Sequence, residues 1–133
     1  MNNRIIFTTS DNAIMQIRLL EKSNHLIVML EGSKIKSKRD FFSAIEQSLN
    51  FPGKCEGLFS RFDDWITDLG WLEKGKGICI AINSFLEFLS DDIEFKNMLL
   101  EDFEEDILPF WENEVVNVIK GGSPRSFVVV LID

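Results

Sequence analysis

Three stretches of this chain are apolar almost without interruption: His25–Glu31 (HLIVMLE), Gly77–Asn83 (GICIAIN) and Ser126–Asp133 around FVVVLI. A strand with one face in water alternates apolar and polar side chains. A strand without alternation is covered on both faces. Long helix-patterned segments separate the three runs, and a helical crossover between sheet neighbours implies parallel pairing. The pattern therefore predicts a small α/β domain: a three-stranded, mostly parallel sheet packed with about four helices in two or three layers. At 133 residues the chain suits one domain with one core.

The helices have local signals. Ser37 offers an N-cap, and Phe41, Phe42, Ile45 and Leu49 follow at helical spacing, so residues 38–49 read as an amphipathic helix. Phe51-Pro52-Gly53 breaks it. A second helix is expected from about Phe59 to Leu69, with Phe59, Phe62, Ile66 and Leu69 on one face. Residues 84–91 read as a short helix or turn, and Asp92 caps a longer helix carrying Phe95, Met98, Leu99, Phe103 and Ile107. Pro109 starts or kinks a further helical stretch, which Gly121-Gly122-Ser123-Pro124 stops. Residues 25–133 make up this core. Residues 1–24 stand outside it as an extension. Arg4–Thr8 reads as a strand. Ala13–Leu20 fits both periods, and the alternation of Ala13, Met15, Ile17 and Leu19 favours a further strand at the sheet edge.

The charge is uneven. Residues 51–114 hold five Lys/Arg and sixteen Asp/Glu, a balance of −11 within a chain of net charge −8. Such a field repels nucleic acid and speeds the approach of cationic partners. The longest apolar run falls far short of the roughly 20 residues that span a bilayer. The first residues lack the pattern of a secretory signal, so a cytoplasmic protein with no membrane partner is expected. Only Cys55 and Cys79 are present, in no ligand-like spacing. Cys79 reads as a reduced core thiol, and Cys55 as a loop residue open to exposure.

Catalytic equipment is sparse. His25 is the single histidine, there is no tyrosine, and no phosphate-binding glycine motif occurs. No cofactor, no metal and no catalytic residue is expected. The carboxylate runs leave a choice. EDFEED at residues 101–106 reads as the solvated face of an amphipathic helix. Asp63, Asp64 and Asp68, interleaved with Phe59, Phe62 and Trp65, read either as another solvated face or as an acidic surface shaped to enter a partner's site.

The second choice gains from a resemblance. Leu30-Glu31-Gly32 closes a strand, Leu49-Asn50-Phe51-Pro52 forms the following loop, and Phe62–Leu72 reads FDDWITDLGWL. Downstream come GICIAIN, LLEDFEEDILPFW ending in Trp111, and the terminal FVVVLI. In order and spacing over about residues 26–133, this resembles the barstar family, inhibitors of barnase-type ribonucleases. That family has a Leu-x-Phe-Pro loop, a helix with Asp-x-Leu, and often an Asp-Leu-x-Trp-Leu ending. The resemblance implies that the loop and helix after Phe51-Pro52 cover a ribonuclease active site. It also implies that Asp64 occupies the place of the RNA phosphate.

Phe59, Ser60, Asp63, Asp68, Gly70 and Trp71 would surround Asp64, with Lys54, Cys55 and Glu56 on the loop and Glu112 or Glu114 as a second acidic contact. The implied partner is a basic bacterial ribonuclease toxin, bound one to one. The binding loop departs from the family pattern: Lys54 and Cys55 replace aromatics, Glu56 replaces Gly, Leu58 replaces Asn and Ser60 replaces Asp. A changed loop on a retained framework fits an immunity protein for another toxin, including one from a contact-dependent or polymorphic toxin system. The alternative is a non-catalytic protein-binding regulator without a nuclease target.

Overall fold

Four strands, rather than three, form the sheet in a computed structural model that describes residues 2–133. They are β1 (Arg4–Thr8), β2 (His25–Glu31), β3 (Gly77–Asn83) and β4 (Phe127–Ile132), all parallel, in the order β1-β4-β3-β2. The core runs form the three strands expected of them. The extension adds β1 beside β4, with Ile6 opposite Val130.

Ala13–Leu20 is the correction. It lies within a helix, α1 (Ser10–Lys22), capped by Thr9, whose hydroxyl accepts from the Asn12 amide. Both periods fit the segment locally, and the tertiary structure decides between them. Passing from β1 to β2 crosses the whole sheet one way, whereas β2 to β3 to β4 returns the other way. Right-handed crossovers then require helices on opposite faces. Helix α1 fills the first face and turns Ala13, Ile17 and Leu20 onto Cys79, Ala81, Val128, Val130 and Ile132. The small side chains of Cys79 and Ala81 let the helix sit close. A strand at this position would have left that face bare.

The opposite face carries the main core under α2 (Lys38–Ser48), α3 (Phe59–Ile66), α4 (Ile93–Asp102) and α5 (Val115–Val118). Ser37 caps α2 and Asp92 caps α4, each accepting from the amide three residues on. Phenylalanines knit this layer. The rings of Phe41 and Phe62 lie 5.5 Å apart at 67°, and those of Phe42 and Phe95 lie 5.5 Å apart at 73°. Each fully buried phenylalanine contributes roughly 1.5–3 kcal/mol from burial alone, and edge-to-face pairs add to it. Gly32 ends β2 because nothing larger fits: a Cβ there would lie 2.3 Å from the Asn83 carbonyl oxygen.

Pro109 does not start a new helix. The helical path runs from Ile93 to Val118, with π-helical turns at Phe103–Ile107 and Phe110–Glu114 on either side of it. Proline lacks an N–H and crowds the carbonyl four residues back, and wider turns relieve both conflicts. Helix α3 stops at Ile66, three residues short of expectation. Thr67 turns its hydroxyl back to the Asp63 carbonyl at 2.6 Å, and Leu69 takes a left-handed φ of 51°.

His25 begins β2 as a buried residue, held by the Ser23 carbonyl at 3.0 Å and the Ser126 hydroxyl at 2.8 Å. Among the described residues, no helix is long and apolar enough to cross a membrane.

Candidate functional site

Helix α3 and the loop before it stand on the aromatic layer. Phe62 and Ile66 point inward and are fully buried, which fixes the helix rotation. From there the helical repeat assigns every other side chain. Arg61 and Asp64, three residues apart, share one flank, and Asp68, just past the helix end, lines the same concavity. Asp63, one position earlier than Asp64, turns about 100° away and meets α4.

The first flank is open. Asp64 and Asp68 are exposed and line a concavity of about 410 Å³ with Gly53, Lys54, Glu56, Arg61 and Trp65. Arg61 bonds the Glu56 carboxylate at 2.5 Å and reaches the Lys54 carbonyl at 3.5 Å, which ties the loop to the helix. Glu56 and Gly57 both take left-handed backbone conformations, at φ 53° and 76°. Below them the Cys55 amide donates to Glu46 at 2.6 Å. Trp65, Trp71 and Phe51 form a cluster with centroids 5.7–6.5 Å apart, and the Trp71 indole N–H donates to the Leu49 carbonyl at 2.8 Å. Gly53 presses on this cluster, for a Cβ there would lie 3.2 Å from Trp65. Trp111 donates to the Ile66 carbonyl at 2.9 Å, so the C-terminal end of α3 is held as well.

The second flank is closed only at its floor, where the half-buried Asp63 packs on α4. Asp63 shares a concavity of about 400 Å³ with Phe59, Ser60, Met98, Asp102 and Asp106. One carboxylate oxygen each of Asp63 and Asp102 is sealed from solvent without a donor. Burial first, then the Asp63 carboxyl, then Asp106 push Asp102 up to about 9. Burial also raises Asp63, assisted by the charges of Asp106 and Asp64 and opposed by the neighbouring Asp102 carboxyl. Both shifts run towards the protonated form, the direction in which two facing carboxyls can be satisfied by one proton.

The sequence candidates therefore divide. Lys54, Glu56, Asp64 and Asp68 converge on the open flank, and Phe59, Ser60 and Asp63 lie on the closed one. Gly70 is exposed at the helix end, where its amide donates to Asp68 at 3.0 Å. Trp71 is half-buried in the aromatic cluster and acts as a support.

Cys55 is a correction. It is fully buried, and burial followed by Glu46 pushes its thiol up to about 12, so it is neither exposed nor nucleophilic. Cys79 is likewise buried and pushed up to about 12 by burial. Glu112 accepts from the Asn3 amide at 2.8 Å in a separate groove against β1, so the structure does not bring it to the α3 surface. Glu114 is exposed on the same later helical turns.

Two features were missed in the sequence. Arg61 lies three residues before Asp64, a spacing that places the two on one side of the helix. Asp102 was grouped with a solvated run, although it directly precedes the buried Phe103. Among the described residues, no group of three or more His, Cys, Asp or Glu side chains is arranged to hold a metal ion.

The family model for barstar, the barnase inhibitor, matches residues 25–119. This chain belongs to the barstar family. The match runs from β2 to the end of α5, so β1 and α1 precede the matched segment and β4 follows it. No curated protein matches the chain significantly. Among solved structures, the chain is similar to the crystal structure of Cdc6p from Pyrobaculum aerophilum, with a TM-score of 0.51 and 14% identity. The likeness covers 98% of this chain and 32% of that one, and at this identity it concerns the fold alone. Members of that family are ribonuclease inhibitors rather than enzymes.

Proposed function

We propose that this barstar-family protein is an intracellular immunity protein that binds a basic bacterial ribonuclease toxin one to one and fills its active site with the open flank of α3. The observation that carries the reading is the setting of Asp64. It is an exposed carboxylate on a helix fixed by buried Phe62 and Ile66, beside a loop tied down through Arg61, Glu46 and Leu49. Ribonucleases hold phosphate with Arg, Lys and His, and a rigid carboxylate offers those groups charge-assisted bonds. Pre-organisation spares the ordering cost of binding.

Lys54 and Arg61 on the same rim give the surface mixed charge, which fits a toxin with an acidic group beside its cationic centre. The same mixed rim favours, as a second reading, a regulator of a non-nuclease protein.

Coexpression with the product of the gene immediately upstream tests the proposal. Wild type restores growth and Asp64→Ala, equally well folded, does not. Absence of rescue by wild type, together with no binding to that product, refutes it.

A further inference from the structure

A second charged feature lies beyond the α3 flanks. Arg125 precedes β4 and is only 8% exposed. Its guanidinium lies over the Trp111 ring at 5.2 Å. Both of its side-chain hydrogen bonds come from Nη1, to the carbonyls of Lys76 at 2.7 Å and Glu73 at 3.2 Å. Nε has no acceptor. Nη2 makes no hydrogen bond and is not sealed, so one donor arm of the guanidinium is unspent. Among the described residues, no carboxylate forms an ion pair with Arg125. Burial lowers its pKa with no acidic neighbour opposing the shift.

Buried charges are ordinarily paired, because leaving one uncompensated is costly. Arg125 lines a pocket of about 250 Å³ with Trp111, Lys74, Gly122, Ser123 and Asp68. Lys74 and Ser123 are exposed and bring a second cation and a hydroxyl donor to the rim. Asp68 is engaged by the Gly70 amide.

We propose that this pocket binds an oxyanion, a carboxylate or phosphate group, with Arg125 and Lys74 supplying charge and Ser123 a hydrogen bond. This goes beyond the inhibitor reading and does not depend on it. The pocket opens beside Gly70, at the edge of the open flank of α3, and brings positive charge to a chain that is otherwise strongly acidic.

The test uses the free protein, so it needs no toxin. Inorganic phosphate and acetate are titrated separately into ¹⁵N-labelled protein, with sodium chloride at matched ionic strength as the control. The Arg125 Nε–H signal and the amides of Gly122 and Ser123 are expected to shift saturably with at least one anion. Saturation by acetate alone identifies a carboxylate ligand, and saturation by phosphate alone a phosphate. Removing Arg125 would also release the 73–76 turn. The surface changes Lys74→Ala and Ser123→Ala are therefore the informative variants, each expected to weaken binding at least threefold with an unchanged unfolding midpoint. Shifts no larger than those with chloride, or shifts indifferent to both variants, overturn the proposal and leave Arg125 as a clamp on the 73–76 turn.

Discussion

Asp63 and Asp64 are neighbours in the chain with the same side chain, yet they belong to different chemical environments. Asp64 stands in solvent on a flank whose loop is braced from beneath. Asp63 packs beside Asp102 on α4, and burial pushes both carboxyls up. One residue of helical rotation separates a carboxylate available to a partner's cation from one already engaged inside the fold. An acidic run cannot be interpreted from its charge alone. The neighbouring element against which each carboxylate packs decides what it can bind.

The largest expected effect removes the support common to both flanks. Phe62 is fully buried between Phe41, Phe42, Phe59 and Phe103. Phe62→Ala should cost about 3–5 kcal/mol in chemical unfolding and disturb both flanks together. A loss below about 1 kcal/mol would mean that α3 does not rest on this layer.

The next change acts on the closed flank alone. Asp102 keeps its proton up to about pH 9 in the fold but releases it near 4 when unfolded. The native state then binds more protons across that window, so this pair makes stability fall as pH rises from about 4 to about 9. Asp102→Asn offers Asp63 a permanent donor. It should raise stability at pH 8 by about 1 kcal/mol, solvent screening at a half-buried site keeping the gain small. The variant should also flatten stability between pH 5 and 8. An unchanged pH slope would show that the two carboxylates do not share a proton.

Trp71→Phe tests the open flank. It removes the indole bond to the Leu49 carbonyl and keeps most of the aromatic packing. About 1 kcal/mol of stability should be lost, and amide exchange should quicken in the 51–58 loop while α4 stays protected. The smallest effect is expected of Arg61→Ala. Its ion pair with Glu56 is exposed, so stability should move by less than about 0.5 kcal/mol. Association with a basic partner should rise a few-fold at low salt and converge with wild type at high salt.

The contrast between the flanks also explains which parts of the molecule were legible in the sequence. Strands β3 and β4 were readable because burial on both faces leaves no alternation, whereas β2, equally apolar in sequence, is an edge strand that leaves Met29 exposed. Ser37 and Asp92 announced their helices because the cap is a local interaction. Helix α1 was not readable, since Ala13–Leu20 satisfies both periods and only the uncovered sheet face decides between them. Cys55 looked exposed because loop chemistry surrounds it, whereas a bond from its own amide to Glu46 draws it inward. The open flank followed from helical spacing together with the barstar resemblance. The Asp63–Asp102 pair did not, because its members lie far apart in sequence and meet only when α3 packs on α4.

The most direct test compares the two neighbours. Asp64→Asn and Asp63→Asn each remove one charge without changing shape, and each is titrated calorimetrically against the upstream gene product beside an unfolding measurement. Asp64→Asn should weaken binding by about 2–5 kcal/mol with an unchanged unfolding midpoint. Asp63→Asn should leave affinity within about threefold and move the midpoint instead. Equal losses of affinity, or a larger loss for Asp63→Asn, would contradict the assignment of the open flank as the inhibitory surface.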